Sequence, residues 1–416
     1  MFKVLNTFGA LFAATFVFLT GNGLLNTLLS TRMAVAGFST ATTGVILSCY
    51  FVGLLTGSFT CHRLIQRVGH IRAFTVFAAT TTAATLLHGL YLSAEFWGSL
   101  RFLSGITTFG QFMVIESWLN ECTQANYRGR VFSIYMTLSY LGIGVGQQLL
   151  NLGDVQGQSL FIIAGFLFAI CLVPVSTTQG IHPRLPETKP YHFGSIFRKA
   201  PLGMLGSMAA GTTNSAFYAM MPVVCTDIGL PIHELSWIMS ITVFSGLAAQ
   251  WAVGSLSDRF DRTIVLSVVL AATAAVSAFM FINREASLWV MTTKMALFGT
   301  LAFAVYPVSV ARAHDVFGGR DAVPVSAGLL FAYSIGASLS PMLASSLMTL
   351  LKTPFGLFAY WTVINGIVAA AIFYCRKLET VERVPVEDQV AFMPMKSTSP
   401  VVMALDPRSG PESDQR

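Results

Sequence analysis

Gly254-Ser-Leu-Ser-Asp258-Arg259-Phe-Asp261-Arg262 is a short charged stretch caught between two long apolar ones, 233–255 and 264–283. Each flank approaches the roughly 20 apolar residues that a helix needs to cross a hydrocarbon core. Two carboxylates and two guanidinium groups between such flanks mark a turn at a membrane face. The same alternation continues outward in both directions, giving twelve apolar blocks from 5–30 to 353–376. The runs are continuous rather than alternating, which predicts helices and not barrel strands. The eleventh block, 322–350, exceeds what a crossing needs, so its helix is expected to be shorter than the run.

Composition agrees. Of 416 residues, 54% are hydrophobic and 11% charged, with a mean hydropathy of +0.66. Soluble domains carry roughly 25% charged residues, so this chain cannot cover a water-facing surface. That excludes a soluble enzyme and a disordered protein. The first block, Leu5 to Leu29, is too long for a signal-peptide core and is expected to remain as a helix. Cys49, Cys61, Cys122, Cys171, Cys225 and Cys375 are scattered without a C-x-x-C pair and read as small membrane-core residues. No nucleotide-binding loop, metal-ligand spacing or nucleophile–base arrangement occurs. The expectation is a non-enzyme without cofactor or metal, not driven directly by ATP.

Charge placement orients the layout. With the N-terminus in the cytoplasm, most Lys and Arg fall in cytoplasmic loops and the C-terminal tail, against only Arg32, Arg284 and Lys352 on the other side. This bias predicts both termini inside. It also accounts for the net charge of +6 and pI near 9.1 without a nucleic-acid partner. The organisation that follows is an N-terminal six-helix bundle over 1–177, a polar, proline-bearing linker over 178–200, a C-terminal six-helix bundle over 201–376 and a disordered tail over 377–416. In the linker, Phe193, Ile196 and Phe197 beside Arg198 and Lys199 suit a short surface helix. The bundles echo each other: Arg101 lies early in the fourth span and Lys294 early in the tenth. Gln66-Arg67 after the second span matches Asp258-Arg259 after the eighth at almost the same offset. Such parallel repeats are one architecture of secondary transporters.

The opening stretch resembles the signature of the major facilitator superfamily, G-x-x-x-D-R-x-G-R-R, which recurs between its helices 2 and 3 and 8 and 9. Here Asp261 replaces the second glycine and Thr263 the last basic residue. The first copy, His62 to Arg72, keeps Arg67, Gly69 and Arg72 but has Gln66 for the aspartate. Glu121-x6-Arg128-Gly129-Arg130 resembles the family's E-x6-R-G latch, with Asp315 and Arg320 as its shorter counterpart. The run Glu116-Ser-Trp118-Leu-Asn120-Glu121, with Ala311-Arg312-Ala-His314-Asp315, is similar to the YcaD-like bacterial branch. The resemblance implies an all-α integral membrane fold of twelve transmembrane helices in two pseudo-symmetric six-helix bundles. It also implies a cytoplasmic gate built from Arg67, Glu121, Arg128, Gly254, Asp258, Arg259, Arg262, Asp315 and Arg320; static loop salt bridges are the other reading.

Charges inside spans are expensive and need a reason. In the superfamily, helices 1, 4, 7 and 10 line a central cavity, so Arg101 and Lys294 would face it and meet an anionic substrate; snorkelling to headgroups is the alternative. Glu116 is the candidate proton carrier, because a carboxyl removed from water holds a proton more readily; a fixed partner for a loop arginine is the alternative. Asn22, Asn26, Gln111, Asn214, Tyr218 and Tyr306 complete the expected polar lining, though each could instead be a packing hydrogen bond. Gly142, Gly144 and Gly146 suit helices that slide, and Ser338-Leu-Ser340-Pro341 suits a kink. The expected function is a monomeric, proton-coupled symporter or antiporter for a small organic solute in the inner membrane. Drug or metabolite efflux, a membrane receptor or scaffold, and a channel are the competing readings.

Overall fold

A computed structural model of the chain describes residues 2–124, 127–176, 193–317, 322–377, 384–389, 392–393, 395 and 397–401. It is helical throughout its long elements. The first set comprises α1 (Phe2–Val35), α2 (Thr40–Val68), α3 (His70–Leu90), α4 (Ala94–Cys122), α5 (Arg128–Gln148), α6 (Ser159–Ile170) and α7 (Leu172–Ser176). A 3₁₀ turn, Leu149–Leu152, follows α5, and α6 with α7 forms one interrupted span. After the short α8 (Phe193–Lys199) come α9 (Pro201–Asp227), α10 (Ile232–Arg259), α11 (Arg262–Ile282), α12 (Leu288–Phe317), α13 (Ala322–Leu350) and α14 (Gly356–Lys377).

Among the described residues, nine spans are long and apolar enough to cross a membrane. The other three long helices, α4, α5 and α9, carry more polar and small residues, and their buried positions include Ser104, Gln111, Glu116, Ser139, Gln147 and Asn214. Polar groups that face other helices rather than lipid account for the weaker apolar character of these three. The eleventh span does not shorten as expected: α13 keeps its full run. Around Pro341 it is braced instead of merely bent, since Ser340 Oγ donates to the Thr212 carbonyl at 2.5 Å and accepts from Tyr360 at 3.0 Å.

Local chemistry sets the helix ends. Ser39 and Ser93 cap α2 and α4 by accepting the N–H groups of Thr42 and Phe96. Gly69, between α2 and α3, sits at φ 83° and ψ 166°, a region essentially restricted to glycine. The matching position between α10 and α11 is Asp261 at φ −54°, where a side chain is unstrained. Its carboxylate accepts the N–H of Thr263 at 2.8 Å and so caps α11. The second signature copy therefore does without its glycine because the turn has an ordinary backbone.

The two sets of helices pack alike. In the first, α2 lies on α4, α1 on α5 and α3 on α6; in the second, α10 lies on α12, α9 on α13 and α11 on α14. Across the divide α2 meets α13, α5 meets α10 and α1 meets α9. These pairings exchange under a two-fold operation relating the sets. Gly146 lets α5 touch α1, since a Cβ there would stand 2.2 Å from the Thr20 carbonyl oxygen. The short α8 lies at the surface, as expected, with every residue but Ile196 exposed; Ile196 anchors it by reaching Gly328 of α13, and Phe193 meets Phe331 edge-on at 4.8 Å. The remainder of the expected linker, 178–192, lies outside the described residues.

Candidate functional site: the central cavity and its two ends

The molecule has a basic end, where Arg67, Arg128, Arg259 and Arg262 stand, and an opposite end, where α5 meets α10. The opposite end is sealed by direct hydrogen bonds. Gln148 Nε2 donates to Ser240 Oγ at 2.7 Å and to the Ser236 carbonyl at 3.0 Å. Asn151 Nδ2 donates to Ser236 Oγ at 2.9 Å, and Ser240 Oγ to the Gly144 carbonyl at 2.7 Å. Met342 N donates to Ser48 Oγ at 3.2 Å where α13 crosses α2.

Between the ends lies a cavity of about 100 Å³ lined from both sets of helices. Its polar wall is Asn22, Asn26, Tyr50, Arg101, Tyr218 and Tyr333; Leu19, Leu47, Phe51, Leu54, Phe112 and Ile143 supply most of the rest. Asn26 Nδ2 donates to Asn22 Oδ1 at 2.5 Å, and Asn22 Nδ2 reaches Tyr50 Oη at 3.5 Å. Arg101 is 3% exposed, with its guanidinium 4.2 Å above the Tyr50 ring. Its Nε has no hydrogen-bond partner, and neither has the buried Tyr218 hydroxyl. A planar donor held on an aromatic face, with an N–H to spare, suits a carboxylate.

Four of the eight residues expected to bind substrate thus meet at the cavity: Asn22, Asn26, Arg101 and Tyr218. Asn214 and Tyr306 are buried behind it, Tyr306 packing edge-on to Tyr333 at 5.3 Å. Gln111 is fully buried and does not line it. Lys294 is placed elsewhere. Its ammonium folds back to the loop before α12 and donates to Asn283 O at 2.8 Å, Asn283 Oδ1 at 3.1 Å and Glu285 O at 3.1 Å. Carbonyl oxygens satisfy this cation locally, so it has no need of a substrate. Tyr50 and Tyr333 were not anticipated; a tyrosine in an apolar span gives no hint of which way its hydroxyl points.

Glu116 lies toward the basic end of α4 and is fully buried. Tyr135 Oη donates to its Oε1 at 2.6 Å, and Ser399 Oγ donates to its Oε2. No arginine pairs with it among the described residues. The tail expected to be disordered is thus partly ordered: Met395, Thr398, Ser399 and Val401 are buried among the helices.

The charge cluster is asymmetric. Arg262, with no exposed surface, donates from Nη1 to Asp315 Oδ1 at 2.5 Å, from Nη2 to Asp258 Oδ1 at 2.8 Å and from Nε to Ser257 at 3.2 Å. Arg376 pairs with Asp261 at 3.2 Å. Burial works toward the neutral acid at Asp261, but the Thr263 N–H and Arg376 outweigh it and hold its carboxyl below the usual range. Every ion pair between described residues lies within the second helix set. Arg67, Glu121, Arg128 and Arg259 make no ion pair among the described residues, and Arg320 lies outside them. Gly254 is filled by a neighbour: a Cβ there would stand 2.4 Å from the Phe392 ring.

The Major Facilitator Superfamily model matches residues 11–224 and 203–405, which together cover nearly the whole chain. The chain belongs to the major facilitator superfamily. It is a multi-pass membrane transporter of that family. An uncharacterized MFS-type transporter of Yersinia pestis (strain Pestoides F) is 28% identical over 329 residues, 78% of this chain and 84% of its own length. The uncharacterized MFS-type transporter YcaD of Salmonella newport (strain SL254) is 28% identical over 333 residues, with the same coverage, in keeping with the resemblance of the Glu116–Glu121 run. Among solved structures, the nucleoside transporter NupG aligns with a TM-score of 0.74 at 13% identity over 89% of this chain and 99% of its own. A bacterial homologue of the human lysosomal transporter Spinster, inward-facing and occupied, aligns with a TM-score of 0.72 at 15% identity over 94% and 98%. These two likenesses concern the fold.

Proposed function

We propose that this protein is a secondary active transporter that carries a small organic anion by alternating access, coupled to protons. In this reading it is a monomer in the inner membrane with its basic end in the cytoplasm, as the charge bias of the loops favours. The observation that carries the reading is Arg101, buried at the cavity wall with an unpartnered N–H and no ion pair among the described residues. An anionic group of the cargo would complete it, and the apolar remainder of the wall favours a cargo with a hydrophobic body. Glu116 is the proton carrier: it is buried, it is held by hydroxyl groups that tolerate either protonation state, and it pairs with no arginine among the described residues. Rocking of the two helix sets about the cavity would exchange the sealed end for the basic one.

The test uses purified protein in liposomes bearing an imposed pH gradient and a panel of radiolabelled aromatic and aliphatic carboxylates. At least one carboxylate is expected to accumulate with the gradient. Arg101→Ala should reduce its uptake about 100-fold, in line with loss of a charge-assisted pair. Glu116→Gln should abolish gradient-driven accumulation while leaving exchange of the same solute across the membrane. Flux indifferent to the gradient removes proton coupling, and a panel in which only cations or neutral solutes move removes the anion.

A further inference from the structure

The cavity is closed toward the basic end by the chain's own C-terminal segment. Ser397 and Thr398 are themselves part of the cavity wall, and they also bound a smaller void of about 40 Å³ between Phe109 and Ala337. Just beyond them Ser399 donates to Glu116, the carboxyl of the first helix set, whose other oxygen is taken by Tyr135. Upstream, the Phe392 backbone N–H donates to Asp258 Oδ1 at 2.8 Å in the second set. Its ring occupies the space left by the missing side chain of Gly254. Met395, between these anchors, is 2% exposed.

Both anchors use groups of the transport machinery. Asp258 is the signature carboxylate already engaged by Arg262, and Glu116 is the buried acid of α4. A peptide that hydrogen-bonds one helix set at Glu116 and the other at Asp258 does two things. It stands at the cavity wall on the side of the basic end, and it ties together two bodies that alternating access requires to separate or pivot.

We propose that the vestibule at the basic end is a binding site for the segment bearing Phe392, Met395 and residues 397–401, and that this segment, when seated, inhibits transport. The site takes a peptide with an aromatic side chain for the Gly254 recess and a hydroxyl for Glu116. The inhibitory half of the proposal rests on the transport reading above; the binding half does not.

The experiment therefore reads occupancy separately from flux. A single reporter, Ser334→Cys, is placed beside the smaller void in a full-length protein whose native cysteines are replaced. Labelling by a membrane-impermeant maleimide from the basic side is timed. In the same background, Phe392→Asp with Ser399→Asp sets carboxylates against Asp258 and Glu116 and should expel the segment. Labelling is expected to rise about tenfold, as for a site released from a closed state populated at roughly 90% or more. A synthetic peptide of residues 384–401 should restore protection. Unchanged labelling in the expelled variant overturns the site. Because the altered segment lies outside the helices, a misfolded variant is identified by lost thermal transition and replaced by the single Phe392→Asp change. Carboxylate flux should rise in parallel; labelling that rises while measurable flux stays constant overturns inhibition and leaves the binding site. If no solute moves in either protein, the transport reading falls while the labelling result stands.

Discussion

Arg262 shows what a buried charge demands of its neighbours. Its guanidinium is shared among Asp315, Asp258, Ser257 and the Ala311 carbonyl, so the cation is offset on several sides. Removing it takes from Asp315, 6% exposed, the ion pair it makes with Arg262. Breaking such a pair typically costs about 3–5 kcal/mol, because the surviving charge stays in low dielectric. Arg262→Ala is therefore expected to lower the apparent Tm in detergent by several degrees, whereas Arg259→Ala, at an exposed cation with no described ion pair, should leave it nearly unchanged. Equal shifts for the two would show that the network is not structural. Arg101 and Lys294 make the complementary point. They occupy matching positions in the repeat, yet one stacks on Tyr50 at the cavity and the other is satisfied by loop carbonyls.

At the scale of elements, the glycines of α5 divide by what they face. Gly146 meets the backbone of α1, whereas the nearest atoms to Gly144 belong to the Phe244 ring, 2.2 Å from its notional Cβ. Backbone cannot yield without moving the whole helix; a ring edge can rotate. Gly146→Ala should therefore destabilise the protein by about 1–3 kcal/mol, the usual range for overpacking, and Gly144→Ala by clearly less. Paired thermal melts of the purified variants check the order. The glycine motif read from the sequence as a device for sliding is thus, at Gly146, a device for close approach. Its sliding role would be confined to Gly144, where α5 faces α10 of the other set.

For the whole molecule, the decisive asymmetry is between its ends. Hydrogen bonds from Gln148, Asn151 and Ser240 join the helix sets at one end, while at the other the chain's own tail lies between them. Alternating access requires the sealed end to part. Asn151→Cys with Ser236→Cys places two thiols where the wild-type side chains are hydrogen-bonded at 2.9 Å. Oxidation of this pair, in a background without the native cysteines, is expected to stop solute flux, and reduction to restore it. Flux that persists through a verified cross-link would show that the two sets do not pivot at this end.

The order of apolar and charged blocks determined, without any coordinates, that the chain is helical, crosses the membrane many times and concentrates its arginines at one end. Each of these follows from local rules of length, period and charge. The same rules marked Arg101 and Glu116, since an ionisable group in an apolar span must be held by something. They could not tell Arg101 from Lys294, because the direction of a long side chain depends on which neighbouring loop offers it oxygen atoms. Nor could they find Tyr50, Tyr333 or the network that Arg262 makes with Asp258 and Asp315. The tail is the clearest case: Ser399 meets Glu116 across 283 positions of sequence. A polar segment with five prolines has no local reason to order. Only the recess beside Gly254 and the unfilled acceptor on Glu116, both created by packing of distant helices, give it a place to sit.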